Sequence, residues 1–276
     1  MEQAQAPIPA QVKTSRLGRS LLIGGVWIYI SILILAPIGA LIVGAFRRGL
    51  APVIEALTSA DFTGSFMLTL QISILVAAIQ AVMGTLLAWI LARDHFRGRA
   101  FLNGLVDIPF ALSPVVVGFM LLLLFGRNSF LGPILANAGI KIAFAVPGMV
   151  LATLFVTMPI MIREMVPVIR KLDRSQELAA ATLGASGWTV FRRIILPGIR
   201  TALIYGTTLT LARALGEFGA ILIIGGGIQG RTETTTLYIF RSLEERQYSA
   251  AYAAALVIGL LTVGLVTLSD WIRHHK

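Results

Sequence analysis

The sequence predicts an all-α integral membrane protein of six transmembrane helices, and three features of its 276 residues predict it. Composition is the first: 57% of residues are hydrophobic and 13% charged, with a mean hydropathy of +0.85. A soluble domain carries about 25% charged residues. Run length is the second. Residues 21–46, 62–92, 142–162 and 247–269 hold no charge over 26, 31, 21 and 23 positions, and roughly 20 apolar residues cross the hydrocarbon core. Charge placement is the third. With the N-terminus inside and six crossings, 15 of the 23 Lys and Arg fall on the inner side and 7 on the outer, as the positive-inside rule requires. The net charge of +10 is thus a topology signal. No aromatic-interleaved basic patch points to nucleic acid.

Taken in order, residues 1–20 read as a cytoplasmic tail, 21–272 as the membrane domain in contact with lipid, and 273–276 as a second cytoplasmic tail. The first run exceeds the apolar core of a cleaved signal peptide and is read as an anchor. An outer loop over 47–61 closes in Thr58-Ser59-Ala60-Asp61, and a short basic inner loop, 93–99, follows the second span. The third span is weaker, 19 uncharged residues over 108–126, with Asp107 and Pro109 at its inner end. Ser113-Pro114 predicts a kink whose freed backbone groups neighbours must satisfy. An outer loop rich in Gly, Pro and Asn (127–141) leads to the fourth span, then a long inner segment, 163–200. The fifth span, 201–230, is apolar except for Arg213 and Glu217, and an outer loop near 225–248 precedes the sixth.

Several classes of chemistry are excluded. The chain has no cysteine, so disulfides, thiolate metal sites and cysteine nucleophiles are out. His95, His274 and His275 sit at inner ends, and no metal site is expected. No phosphate-binding G-x4-G-K-S/T run exists, so the chain is not expected to bind nucleotide or any other cofactor. "GGGIQG" at 225–230 matches G-x-G-x-x-G in letters only, because it follows a membrane helix rather than a strand; it is read as a flexible loop. An intramembrane enzyme would need paired catalytic groups, and Arg213 with Glu217 offers no nucleophile. A gradient-driven transporter would show inverted repeats with broken helices in both halves, and none is visible.

The inner stretch "QELAAATLGASGWTVFRRIILPGIR" (176–200) is too polar to insert and too ordered for a linker. A helix is expected from near Ser175, with Glu177 in the first turn where the helix dipole favours an acid. Gly184 is a candidate C-cap, and Ser186 or Gly187 starts a second helix. In that helix Trp188, Phe191, Ile194 and Ile195 recur at helical spacing beside Arg192 and Arg193. Pro197-Gly198 is expected to end it. On these residues alone, an interfacial helix pair without a partner reads equally well.

Ala179-Ala180, Gly184 and Ile194-x-Leu196-Pro197 resemble the EAA loop of ABC importer permeases, E-A-A-x3-G-x9-I-x-L-P. The motif's glutamate position holds Leu178 here, with Glu177 just before it. The resemblance implies a type I ABC importer permease fold. It also implies a coupling loop carried by Glu177, Ala179, Ala180, Gly184, Ala185, Ile194, Leu196 and Pro197 that docks on a cytoplasmic ATPase. The stretches "DIPFALSPVVVGFMLLLLFGR", "GIKIAFAVPGMVLATLFVT", "TLGASGW" and "ARALGEFGA" further resemble the CysW-type subunit of sulfate importers, with molybdate permeases as close relatives. That likeness implies uptake of sulfate or thiosulfate across the inner (plasma) membrane, with both termini cytoplasmic. Its implied partners are a homologous CysT-type permease, two copies of a CysA-type ATPase holding ATP and magnesium, and an outer sulfate-binding protein. Molybdate or tungstate is the alternative cargo.

Arg213 and Glu217 are four residues apart on span five, hence on one helical face. Ionisable groups at such depth are costly and mark function by default. Two readings stand: a pair that neutralises itself so the helix can insert, or an arginine that meets the anion. Arg231, Thr232, Thr234, Thr235 and Thr236 are read as outer-loop contacts for the binding protein or the anion.

Overall fold

A computed structural model describes residues 16–274, and every element in that range is helical. In order these are α1 Arg16–Phe46, α2 Ala51–Thr58, α3 Ala60–Arg93, α4 Arg99–Ala111, α5 Pro114–Phe125, α6 Gly132–Asn137 and α7 Val146–Lys171. There follow α8 Arg174–Thr182, α9 Gly187–Val190, a π-helical turn Phe191–Ile195, α10 Leu196–Leu215, α11 Gly219–Gly225, α12 Thr235–Glu244 and α13 Tyr248–His274. Residues 1–15 and 275–276, most of the two expected tails, lie outside the described residues; α1 already begins at Arg16.

Among the described residues, five helices are long and apolar enough to cross a membrane: Ser20–Phe46, Ala60–Arg93, Val146–Lys171, Gly187–Leu215 and Tyr248–Trp271. The sixth candidate is α4 and α5 taken together, bent by 111°. The third span is therefore not the single helix over 108–126 that hydropathy outlines. It starts at Arg99 and is broken at Leu112 and Ser113. Pro114 is the cause: its ring disfavours the helical region for the residue before it, and Ser113 sits at φ −62°, ψ 138°. Each half rises only about 20 Å at 1.5 Å per residue, too short to cross alone.

The fifth span also differs. Pro197 does not end the inner helix, which runs on from Gly187 to Leu215. The Leu196 N–H donates to the Phe191 carbonyl, one residue farther back than an α-helix would reach. This wider turn leaves room for a proline that would otherwise clash with the preceding turn. The helix then stops at Leu215, so 201–230 is two helices, α10 and α11, rather than one.

The core lies along α7. Met161, Ile162, Met165 and Ile169 are fully buried against Leu91 of α3, Ile195 of the π turn and Ile199 of α10. Buried Thr153 and Thr157 donate their hydroxyls to the Met149 and Thr153 carbonyls at 2.8 and 2.7 Å, so they pack in without orphaned groups. α1 is exposed for most of its length and meets α13 at Gly44, which lies against the Tyr252 ring. Small residues at crossings are how membrane helices come close. The tightest crossing joins α5 to α11: a Cβ at Gly118 would sit 2.6 Å from the Ala220 carbonyl oxygen and 2.9 Å from the Ile223 Cβ.

Gly118→Val should therefore force α5 off α11, at a cost of about 1–3 kcal/mol for overpacking. The yield of detergent-stable protein should fall and its Tm drop by several degrees. Gly64→Ala, where a Cβ meets nothing within 4 Å, should leave both unchanged.

Candidate functional site

The segment between α7 and α10 is a built structure. Asp173 caps α8, its carboxylate accepting the Ser175 N–H at 2.9 Å and the Ser175 hydroxyl at 2.6 Å. Those two bonds hold the carboxyl below the usual aspartate range. At the other end Gly184 takes φ +82°. The Ala185 N–H reaches back to the Ala180 carbonyl and the Gly184 N–H to Ala181, each at 3.0 Å. That is a Schellman closure, which needs the left-handed residue where glycine stands. Ser186 then caps the next helix by accepting the Thr189 N–H. The two-helix reading, its glycine stop and its serine start agree with the structure, with α8 starting at Arg174.

α8 has no buried residue and is tied to the spans by charge. Arg93, the last residue of α3, donates to Glu177 Oε1 at 2.6 Å and lies 4.9 Å above the Trp89 ring. Arg174 donates to the Arg93 carbonyl at 3.0 Å. Arg93 is 8% exposed and Glu177 21%, so the pair is shielded and geometrically defined. Glu177, one residue before the glutamate position of the resembled motif, turns inward to its own chain, and Leu178 faces outward at 66% exposure. Leu183, Trp188 and Phe191 are also exposed, the two rings stacked at 5.5 Å. Ala179 and Pro197 are exposed, while Ala180, Ala185, Ile194 and Leu196 are half-buried. Sequence reasoning missed Arg93 as a site residue, although an arginine closing a 31-residue uncharged run was the available signal.

Arg213 and Glu217 meet, though not on one helix face as their spacing suggests. α10 ends at Leu215, and Glu217 occupies the break before α11. Arg213 Nη1 lies 2.8 Å from Glu217 Oε2, in contact range but poorly aligned for a hydrogen bond. Glu217 Oε1 accepts the Ala220 N–H at 3.1 Å, and the Glu217 carbonyl accepts the Thr236 hydroxyl at 2.7 Å. Glu217 is 1% exposed and Arg213 37%. The carboxylate serves the broken backbone, and the guanidinium keeps an open face.

The threonine run is not an exposed outer loop. Thr232, Thr234 and Thr235 are buried. Thr232 donates to the Gly225 carbonyl and accepts the Ile228 N–H, and Thr235 is bonded to Thr69 on α3. "GGGIQG" is likewise a bonded turn, with Gly226, Gly227 and Gly230 at positive φ. Hydrogen bonding decided both, because buried polar groups take partners within the chain. Arg231 alone of that set is exposed. Beside it, Arg241 of α12 pairs with buried Glu233 at 2.6 Å and with Asp61 at 3.2 Å, pinning α12 to the start of α3.

A model of the binding-protein-dependent transport system inner membrane component family matches residues 84–275. The sulfate transport system permease protein CysW of Synechocystis sp. is 41% identical over 260 residues, covering 93% of this chain and 94% of its own length. The sulfate transport system permease protein CysT of Escherichia coli is 37% identical over 241 residues, 87% of each chain. A solved bacterial alginate ABC transporter, in complex with a periplasmic protein carrying an alginate pentasaccharide, has a chain of the same fold. Its TM-score is 0.76 at 19% identity, over 94% of both chains.

Arg213→Ala strands a buried carboxylate, a loss of about 3–5 kcal/mol when a buried pair is broken on one side. The yield of detergent-stable protein should collapse. Adding Glu217→Gln, which keeps the acceptor for Ala220 and removes the charge, should restore most of it. If the double variant is as poorly recovered as the single one, the pair is not what holds the break.

Proposed function

The chain belongs to the family of binding-protein-dependent transport system inner membrane components, and on that premise we propose that it is the CysW-type membrane subunit of an ATP-driven sulfate importer. It works beside a CysT-type permease, above two CysA-type ATPase subunits that hold ATP and magnesium, and below an outer sulfate-binding protein. It sits in the inner (plasma) membrane with both termini cytoplasmic. The subunit itself carries out no hydrolysis.

One observation supports the coupling role above others. The 174–196 segment is firmly closed by Gly184, tied to α3 through Arg93 and Glu177, and leaves Leu178, Leu183, Trp188 and Phe191 uncovered. Exposed apolar clusters framed by polar residues mark interaction surfaces. In the proposed cycle the ATPases close on ATP, the docked segments approach each other, and the tie through Arg93 carries that motion into α3. The π turn carries it into α10. The pathway opens outward, receives the anion, and returns inward after hydrolysis. Arg213, with its open face at membrane depth, is the proposed anion contact; its pairing with Glu217 keeps the contact weak enough for release.

Gly184→Val should abolish uptake with the protein still in the membrane, because a β-branched residue resists positive φ. Gly184→Asn, which tolerates that region, should retain much of it. Normal uptake in the valine variant would remove the coupling assignment. For Arg213, the double variant with Glu217→Gln should assemble and stay inactive; full uptake would eliminate the anion contact. Cargo is decided by competition in the reconstituted complex with its binding protein. Radiolabelled sulfate uptake should be blocked by unlabelled sulfate and far less by molybdate. Equal competition by molybdate, or faster entry of labelled molybdate, would transfer the assignment to molybdate.

A further inference from the structure

Arg99 and Asn103 of α4 and Arg163 and Arg170 of α7 line a cavity of about 340 Å³ at the inner end of the bundle. From them we infer a binding site for the phosphate of an anionic phospholipid in the inner leaflet. The inference rests on the topology proposed above, which places this end inside.

Hydrogen-bond accounting determines the ligand's chemistry. Arg163 is spent within the chain: its Nε donates to Asp107 Oδ1 at 2.9 Å and its Nη1 to Asn103 Oδ1 at 3.1 Å, and Asp107 Oδ2 takes a further bond from Nη2. Those contacts also engage both carboxylate oxygens of Asp107 and the side-chain oxygen of Asn103. Donors remain. Neither Arg99 nor Arg170 has an acidic partner among the described residues, and the Asn103 amide nitrogen is likewise unspent. α4 begins at this point with no side-chain cap. Three guanidiniums against one carboxylate leave the cavity with two surplus positive charges. A site that offers donors and excess positive charge suits an oxyanion, and arginine matches phosphate geometry.

The neighbouring surface selects lipid over a free ion. Phe101, one residue past Ala100 of the cavity wall, is 71% exposed, and Phe96 just before α4 is 41% exposed. Leu105 and Ile108 continue the uncovered apolar surface of α4. A molecule anionic at one end and apolar at the other satisfies both surfaces, as basic pockets between membrane helices do for acidic headgroups. Free sulfate or phosphate would satisfy only the first. Arg163 and Asp107 serve to prop the cavity, joining α4 to α7 across the bend.

The test uses the whole complex, purified with its partners, stripped by detergent washing and titrated with phosphatidylglycerol under native mass spectrometry. Wild type should retain phosphatidylglycerol through washing and bind it in preference to phosphatidylcholine. Arg99→Gln with Arg170→Gln should weaken that binding roughly 30-fold, from the usual contribution of two basic residues near an anionic headgroup. The double change Arg97→Gln with Arg200→Gln, equal in charge and outside the cavity, should leave it intact. Neither Arg99 nor Arg170 has an acidic partner among the described residues, so the complex should still assemble, as size-exclusion chromatography will register. Unchanged retention in the cavity variant would overturn the site. Equal loss in the control variant would reduce it to general charge attraction, and displacement of lipid by sodium phosphate or sulfate would make it a site for a free oxyanion. None of these readouts depends on sulfate uptake, so the site and the transport proposal fail separately.

Discussion

Residues Gly216 to Phe218 interrupt the helix between α10 and α11, and the bundle is organised around satisfying the backbone groups of that break. Lipid supplies no partners for open backbone groups, each of which costs several kcal/mol when unpaired. Glu217 accepts the Ala220 N–H, its carbonyl takes the Thr236 hydroxyl, and its N–H returns to the Ala214 carbonyl. A carboxylate buried for that purpose must be neutralised, and Arg213 is the group within reach. The threonine run follows from the same need: Thr232, Thr235 and Thr236 bring the chain after α11 back against α3 and the break. Gly118 and Gly219 let the second broken span, α4 with α5, pack against the first. Two breaks shield each other.

That arrangement puts the two proposed functional regions at the two ends of α10. At one end its break holds Arg213, whose guanidinium keeps an accessible face. At the other end it runs without interruption into the π turn and the surface segment. A continuous helix joining the two is a direct mechanical path between the surface proposed to face an ATPase and the proposed anion contact. Arg93 supplies a second path, because α3 ends at the ion pair that holds α8.

Much of this was legible in the residues. Uncharged runs of 21 to 31 residues specify long helices, since no other structure closes its hydrogen bonds alone in lipid, and Gly184 and Ser186 stand where caps must. What was not legible is tertiary. Hydropathy cannot separate one helix from two that meet at a polar break, so 108–126 and 201–230 read as single spans. The proline rule misjudged Pro197 because a π turn, one residue wider than an α-helical turn, absorbs the clash. Arg93 was hidden because its importance lies in reaching across 84 positions to Glu177. The threonines read as loop residues because their partners, the Gly225 carbonyl, Thr69 and the Glu217 carbonyl, become visible only in three dimensions.

The central claim, that the 174–196 segment is the surface through which an ATPase drives this subunit, has a direct measurement. The chain contains no cysteine, so Leu183→Cys, at the most exposed apolar position of the segment, can carry a single photoactivatable label. Irradiation of the assembled complex should yield an adduct with the ATPase subunit, whose amount changes between nucleotide-free and ATP-bound states. Phe130→Cys, equally exposed at the opposite end, should yield none. An adduct missing at 183, or formed equally at 130, would contradict the account.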